Sequence, residues 1–237
     1  MAPSHILTAY DQELKYLQRR ISEMGGLAEE MVGESVRALV NTDSALAQKV
    51  ISDDLMLDEA EREIGDKAVV VIARRQPVAA DLREIMGAIR IAADLERVGD
   101  LAKNTAKRVI AVQGTGVPRK LAHGIEHLSE LALIQLKEVL DVYTARQPEK
   151  ANSIRERDDE IDAIYTSLFR ELLTYMMEDP RNITTCTHLL FCAKNIERIG
   201  DHATNIAEMI YYISTGSQPQ GERPKHDRST AVGSDDI

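Results

Sequence analysis

The hexapeptide LERVGD at residues 95–100 returns as IERIGD at residues 196–201, and this recurrence decides how the chain is read. A shift of 101 residues carries one onto the other and also carries Asn104 onto Asn205. Upstream, a shift of 104 carries Val50, Asp54, Leu57 and Asp58 onto Ile154, Asp158, Ile161 and Asp162. The same shift carries Leu27 onto Leu131 and Ala47 onto Ala151. The slip of three falls between the two segments, where the loops around Pro77 and Pro180 can absorb it. The chain is therefore one long unit written twice, too long a period for a small-repeat solenoid.

Each unit reads as three helices. Between the breakers, residues 8–41, 44–75, 79–112, 119–145, 148–177 and 182–214 are expected to be helical. Asn41 to Ser44 supply capping oxygens before the second helix, and Pro148 suits a first helical turn. Gln147-Pro148 and Asp179-Pro180 place boundaries, because the residue before proline leaves helical geometry. Gly114 and Gly116 mark the end of the third helix. The apolar spacing is helical: Leu121, Ile125, Leu128, Ala132, Leu136 and Val139 lie within one arc at 100° per residue. Leu14, Leu17, Ile21, Met24, Ala28 and Met31 follow the same rule in the first helix. The β-branched run AVVVIA at 68–73 lies inside a long periodic segment without turn signals and is read as helix. The expected architecture is all-α, two tandem antiparallel three-helix bundles related by an internal pseudo-twofold repeat. Residues 1–113 form the first bundle and 114–214 the second. Residues 215–237, rich in Gly, Ser, Pro and mixed charge, form a disordered tail. Helices of some thirty residues would be about 45 Å long.

Composition excludes several classes. The 237 residues carry 39 Asp and Glu against 29 Lys and Arg, a formal charge of −10, which argues against nucleic-acid binding through phosphates. The same charge disfavours attraction to an anionic membrane surface. Only 4% of residues are aromatic and there is no Trp, which argues against a β-sandwich. There is no apolar run near eighteen residues, so no membrane insertion is expected. The first residues show no basic-then-apolar leader. The two cysteines, Cys186 and Cys192, do not share a helix face and form no disulfide framework, which suits a reduced, cytoplasmic setting.

The chemistry-bearing pattern is carboxylate. Glu96 and Asp100 stand four apart, as do Glu197 and Asp201, Asp54 and Asp58, and Asp158 and Asp162. Each is a like-charge pair on one helix face, costing a few tenths of a kcal/mol. Gly99 and Gly200 inside helices cost roughly 1 kcal/mol each relative to Ala. Glu96 and Asp100 border the face made by Ile85, Ala88, Ala92, Leu95, Ala102, Ala106 and Ile110. Asp54, Asp58 and Glu61 border the stripe of Val50, Leu57, Ile64 and Ala68. Border carboxylates from two packed helices can converge on one groove, and such oxygen-rich sites suit Mg²⁺ or Mn²⁺ and can hold iron. The absence of histidine from the motifs weakens a dedicated zinc or di-iron enzyme site.

A single acidic pair ordinarily reads as a solvated face. Repetition in both halves and on two helices puts metal or partner binding beside that reading. Arg97 and Arg198 could equally close the ridges into salt-bridge networks. His123 and His127 face away from the apolar side and read as surface, Cys192 as a small core residue, and Met176-Met177 as core filling. No phosphate loop, nucleophile elbow or H-E-x-x-H is present, and no nucleophile is paired with a base, so an enzyme is not expected.

RRQPVAADLR (74–83), LERVGDLAKN (95–104), YMMEDPRNI (175–183) and FCAKNIERIGDHATNI (191–206) resemble the signature segments of the PhoU family of phosphate-specific transport accessory proteins. The resemblance runs in order over about residues 5–214. It implies two three-helix bundles and a non-enzymatic negative regulator of the phosphate regulon and of phosphate uptake. Such a regulator links the Pst transporter, through its cytoplasmic ATPase subunit, to a PhoR-type sensor histidine kinase, commonly as a homodimer. The family's E/D-x-x-x-D motifs bind metal in some members, here Mg, Mn, Fe or Zn. Carried over, that motif falls on Glu96/Asp100 and Glu197/Asp201, with Asp54/Asp58 and Asp158/Asp162 as partners. Glu61 corresponds to Tyr165, which implies that two such sites would not be equivalent. The alternatives left open are a carboxylate metalloprotein that stores or transforms metal, and a purely structural helical scaffold.

Overall fold

The computed structural model describes residues 3–114 and 117–219. The first unit consists of α1 (Pro3–Asn41), α2 (Ser44–Arg75) and α3 (Ala79–Ala111). The second consists of α4 (Arg119–Ala145), a 3₁₀ turn (Pro148–Lys150), α5 (Ala151–Glu156), α6 (Asp158–Glu178), a second 3₁₀ turn (Pro180–Asn182) and α7 (Ile183–Thr215). No strand occurs among the described residues. Gly116 and residues 220–237, most of the expected disordered tail, lie outside the described residues.

Local chemistry accounts for the boundaries. Asp43 caps α2, its Oδ1 accepting the backbone N–H groups of Ala45 and Leu46 at 3.0 Å each. The end of α2 is closed by Gln76 in the left-handed region, its N–H donating to the Ile72 carbonyl, and Pro77 prevents continuation. Arg146 closes α4 in the same conformation ahead of Pro148. One expected helix is not continuous. The segment expected over 148–177 breaks at Arg157, whose N–H bonds the Ile154 carbonyl in the tighter three-residue pattern. Asp158, Asp159 and Glu160 then fill the first turn of α6, where carboxylates favour the positive end of the helix dipole.

The apolar stripes read from the sequence form the core. Leu17, Ile21, Met24, Ala28 and Met31 of α1 are buried, as are all six stripe residues of α4. Leu14 is only partly buried, and Ile110 near the end of α3 is exposed. α3 packs against α1, α2 and α7; α7 packs against α3, α4, α5 and α6; α1 also reaches α4. The two bundles therefore lie against each other through α3 and α7, the helices that carry the two repeated motifs. Arg146 and Glu84, 2.6 Å apart, add an ion pair across the same boundary.

Candidate metal-binding and partner-binding ridges

The first ridge lies where α2 passes α3. Gly99 makes that passage close: a Cβ built there would lie 2.2 Å from Leu57 Cδ1. In the second half a Cβ at Gly200 would meet Ile161 Cδ1 at 2.9 Å. Leu57 and Ile161 are counterparts under the shift of 104, so both helix-interior glycines have the same structural reason. It is helix approach, independent of any ligand.

That approach brings Asp54, which is buried, and Asp100, which is half-buried, to one ammonium. Lys103 Nζ donates to Asp54 Oδ2 at 2.5 Å and to Asp100 Oδ1 at 2.6 Å. Arg97 adds its Nη1 to Asp100 Oδ2 at 3.2 Å and its Nε to Glu96 Oε2 at 3.4 Å. Burial opposes ionisation of Asp100, but the Lys103 hydrogen bond and charge outweigh it and hold the carboxyl below its ordinary range. Glu96 is raised instead, by burial and by the charges of Asp100, Asp58 and Glu61, against the opposing charge of Arg97. Burial alone would lower Lys103, yet its bonds to Asp100 and Asp54 keep it above the usual lysine range.

The second ridge, between α6 and α7, is arranged differently. Asp158, buried at the start of α6, accepts from Thr204 Oγ1 at 3.2 Å and Gln135 Nε2 at 3.4 Å. Gln135 Nε2 also donates to Thr204 Oγ1 at 3.0 Å, so this carboxylate belongs to a buried polar network. Glu197 is buried as well. Its Oε1 accepts from Lys194 Nζ at 2.8 Å, while its Oε2 has no hydrogen-bond partner among the described residues. Burial, reinforced by Asp201 and Asp162 and only partly offset by Lys194, pushes the Glu197 carboxyl up to about 7. Lys194 also lies over the ring of Tyr165, 4.9 Å from its centroid.

The structure thus places Asp54 beside Asp100, and Glu197 within the field of Asp162 and Asp201. Among the described residues, no three His, Cys, Asp or Glu side chains form a group that could hold a metal ion as they stand. In the first ridge Asp54 and Asp100 do not fit a metal as they stand, since the ammonium of Lys103 lies between them. The orphaned, buried Glu197 Oε2 makes the second ridge the better fit. Four functional neighbours escaped the sequence reading: Lys103, Lys194, Gln135 and Thr204. A signal existed for two of them, because the shift of 101 sets Lys103 against Thr204.

The two ridges are also joined. Asp94 on α3 accepts from His202 and Asn205 on α7, with Oδ1 2.8 Å from His202 Nδ1 and 3.4 Å from Asn205 Nδ2. Asn195 Nδ2 on α7 donates to Thr105 Oγ1 on α3 at 3.3 Å. Elsewhere, His123 and His127 are surface groups beside Glu126 and Glu130. Cys186 and Cys192 are both buried and unbridged. Met177 is 78% exposed, which corrects its reading as core filling: it sits in the last turn of α6, past the helix's packed face, whereas Met176 is half-buried.

A family model described as "PhoU domain" matches the chain twice, over residues 21–109 and 125–210. A relative from Rhizobium meliloti, a phosphate-specific transport system accessory protein PhoU homolog, is 80% identical over 234 residues, covering 99% of this chain and 99% of its own length. The crystal structure of PhoU from Pseudomonas aeruginosa superposes with a TM-score of 0.84 at 37% identity, covering 88% of this chain and 100% of that one. The phosphate transport system regulatory protein PhoU from Streptococcus pneumoniae superposes with a TM-score of 0.82 at 27% identity, covering 89% and 99%.

Proposed function

The chain belongs to the PhoU family, and from that premise we propose that it is a non-enzymatic accessory protein of phosphate transport, a negative regulator of phosphate uptake and of the phosphate-starvation response. It acts as an adaptor between the ATPase subunit of a Pst-type transporter and a PhoR-type sensor histidine kinase, in the cytoplasm and as a homodimer. The observation that carries this reading is the 80% identity, over 99% of both chains, to a phosphate-specific transport system accessory protein PhoU homolog.

The adaptor reading is supported by the surface of the first bundle. On α2 Leu55 and Met56 are 69% and 59% exposed, and Asp58 lies one turn on from Leu55. A partly apolar strip bordered by a carboxylate suits a partner surface with basic and apolar side chains. No helix among the described residues is long and apolar enough to cross a membrane.

Metal is a subsidiary part of the proposal. In the second ridge Glu197 and Asp201, with Asp158 and Asp162, would hold a divalent or iron-type ion. Such an ion, when bound, would supply positive charge to three buried carboxylates and the half-buried Asp201. The chain's own residues set the rest: Lys194 and Gln135 hold the flanking carboxylates in place, and Gly200 keeps α6 and α7 together.

The test is a pull-down with the tagged full chain at high and low phosphate, probing for the transporter ATPase and the kinase. Capture of both, stronger at high phosphate, is the expected result. Failure to capture either under both conditions would overturn the adaptor reading.

A further inference from the structure

The two ridges share four carboxylates at corresponding positions, the first adding Glu61 where the second has Tyr165, but they do not share a cation. The shift of 101 that superimposes the motifs carries Lys103 onto Thr204 and Lys194 back onto Ala93. In the first half an ammonium, with only 20% of its side chain exposed, is shared between Asp54 of α2 and Asp100 of α3. In the second half the corresponding position offers Asp158 a neutral hydroxyl, Thr204 Oγ1. The lysine of that half, Lys194, approaches Glu197 from three residues before it, and 39% of its side chain is exposed.

We propose that Lys103 is the resident cation of the first ridge and closes it to divalent metal, so that any divalent ion bound by the chain is held by the second ridge. The proposal rests on the metal reading of the second ridge only in its last clause. Its physical basis is exclusion. A divalent ion drawn to Asp54 and Asp100 would compete with Lys103 for both carboxylates, and it would meet a like charge close by in a partly buried setting. The second ridge has no lysine at the equivalent position. It also retains one buried carboxylate oxygen, Glu197 Oε2, without a hydrogen-bond partner among the described residues, on a side chain only 6% exposed. A coordinating cation could relieve that orphaned oxygen.

The experiment counts Mn²⁺ bound to the full chain, stripped with chelator and desalted, by equilibrium dialysis and by loss of the free-ion EPR signal. Lys103→Met should bind one more Mn²⁺ per chain than the wild type. Adding Asp54→Asn to that variant should remove the gained ion, whereas Asp54→Asn alone should leave the wild-type count unchanged. Thr204→Lys should remove the ion held by the second ridge. Circular dichroism and thermal melting confirm folding, and Lys103→Gln serves if the methionine variant does not fold. A folded Lys103 variant that gains no Mn²⁺, or a wild-type ion lost on Asp54→Asn, overturns the proposal. A wild type that binds no Mn²⁺ while Lys103→Met binds one supports the role of Lys103 and removes the metal reading of the second ridge, so the two failures are distinguishable.

Discussion

Gly99 and Leu57 face each other so closely across α2 and α3 that any β-carbon at position 99 must displace a fully buried leucine. Gly99→Ala would recover about 1 kcal/mol of helix propensity. Overpacking against a core side chain costs about 1–3 kcal/mol. A net loss of about 1 kcal/mol is therefore expected from urea unfolding midpoints, with a smaller loss for Gly200→Ala, where the contact is longer. Combining Gly99→Ala with Leu57→Ala should be less destabilising than the sum of the two single changes. A Gly99→Ala protein more stable than wild type would show that the crossing has room to spare.

Glu197 predicts a pH dependence. Its carboxyl stands at about 7 in the folded chain against an ordinary 4.5, mainly because it is buried. The folded state then binds the proton more tightly than the unfolded state. The stability this contributes is fully present below about pH 4.5 and is lost as pH rises through about 7. A shift of this size corresponds to about 3 kcal/mol. In chelator-treated protein, the wild type should lose stability relative to Glu197→Gln between about pH 4.5 and 8 in denaturant titrations. Parallel curves for the two proteins would show that Glu197 ionises normally.

The cysteines make a third case. Burial pushes the Cys192 thiol up to about 12 and also raises Cys186. Both side chains are inaccessible, so neither is a thiolate at neutral pH nor open to a reagent. Native protein at pH 8 should react with a thiol-specific chromogenic reagent far more slowly than protein in denaturant, where both thiols titrate. Rapid labelling of the native chain would mean that α7 opens locally.

The features that could be read from the sequence are those with local causes. Asp43, Pro77, Pro148 and Pro180 announce helix boundaries through capping and backbone geometry, and the repeat reveals the two bundles. The break at Arg157 was hidden because the run from Arg155 to Glu160 contains neither proline nor glycine. Its one visible signal is the acidic triplet Asp158 to Glu160, which suits a helix start as well as a solvated face. The carboxylates could be placed on helix edges by angle alone. Which cation meets them could not, because Lys103 and Lys194 lie at unrelated positions in the repeat and the pairing depends on how the helices pack. The propensity cost of Gly99 and Gly200 can be read locally, but the reason for glycine lies in Leu57 and Ile161, residues of other helices.

The contact between Asp94 and His202 bears on ancestry as well as on packing. If the two halves arose by duplication, this face has since become complementary in one sense only. The position matching His202 in the first half is Leu101, and the position matching Asp94 in the second is Asn195. A chain assembled from two first halves would set the aspartate against leucine, and one assembled from two second halves would set the histidine against asparagine. Neither would restore the ionisable pair. The protein behaves here as a heterodimer joined in cis, and the order in which its halves are spelled is part of what holds them together.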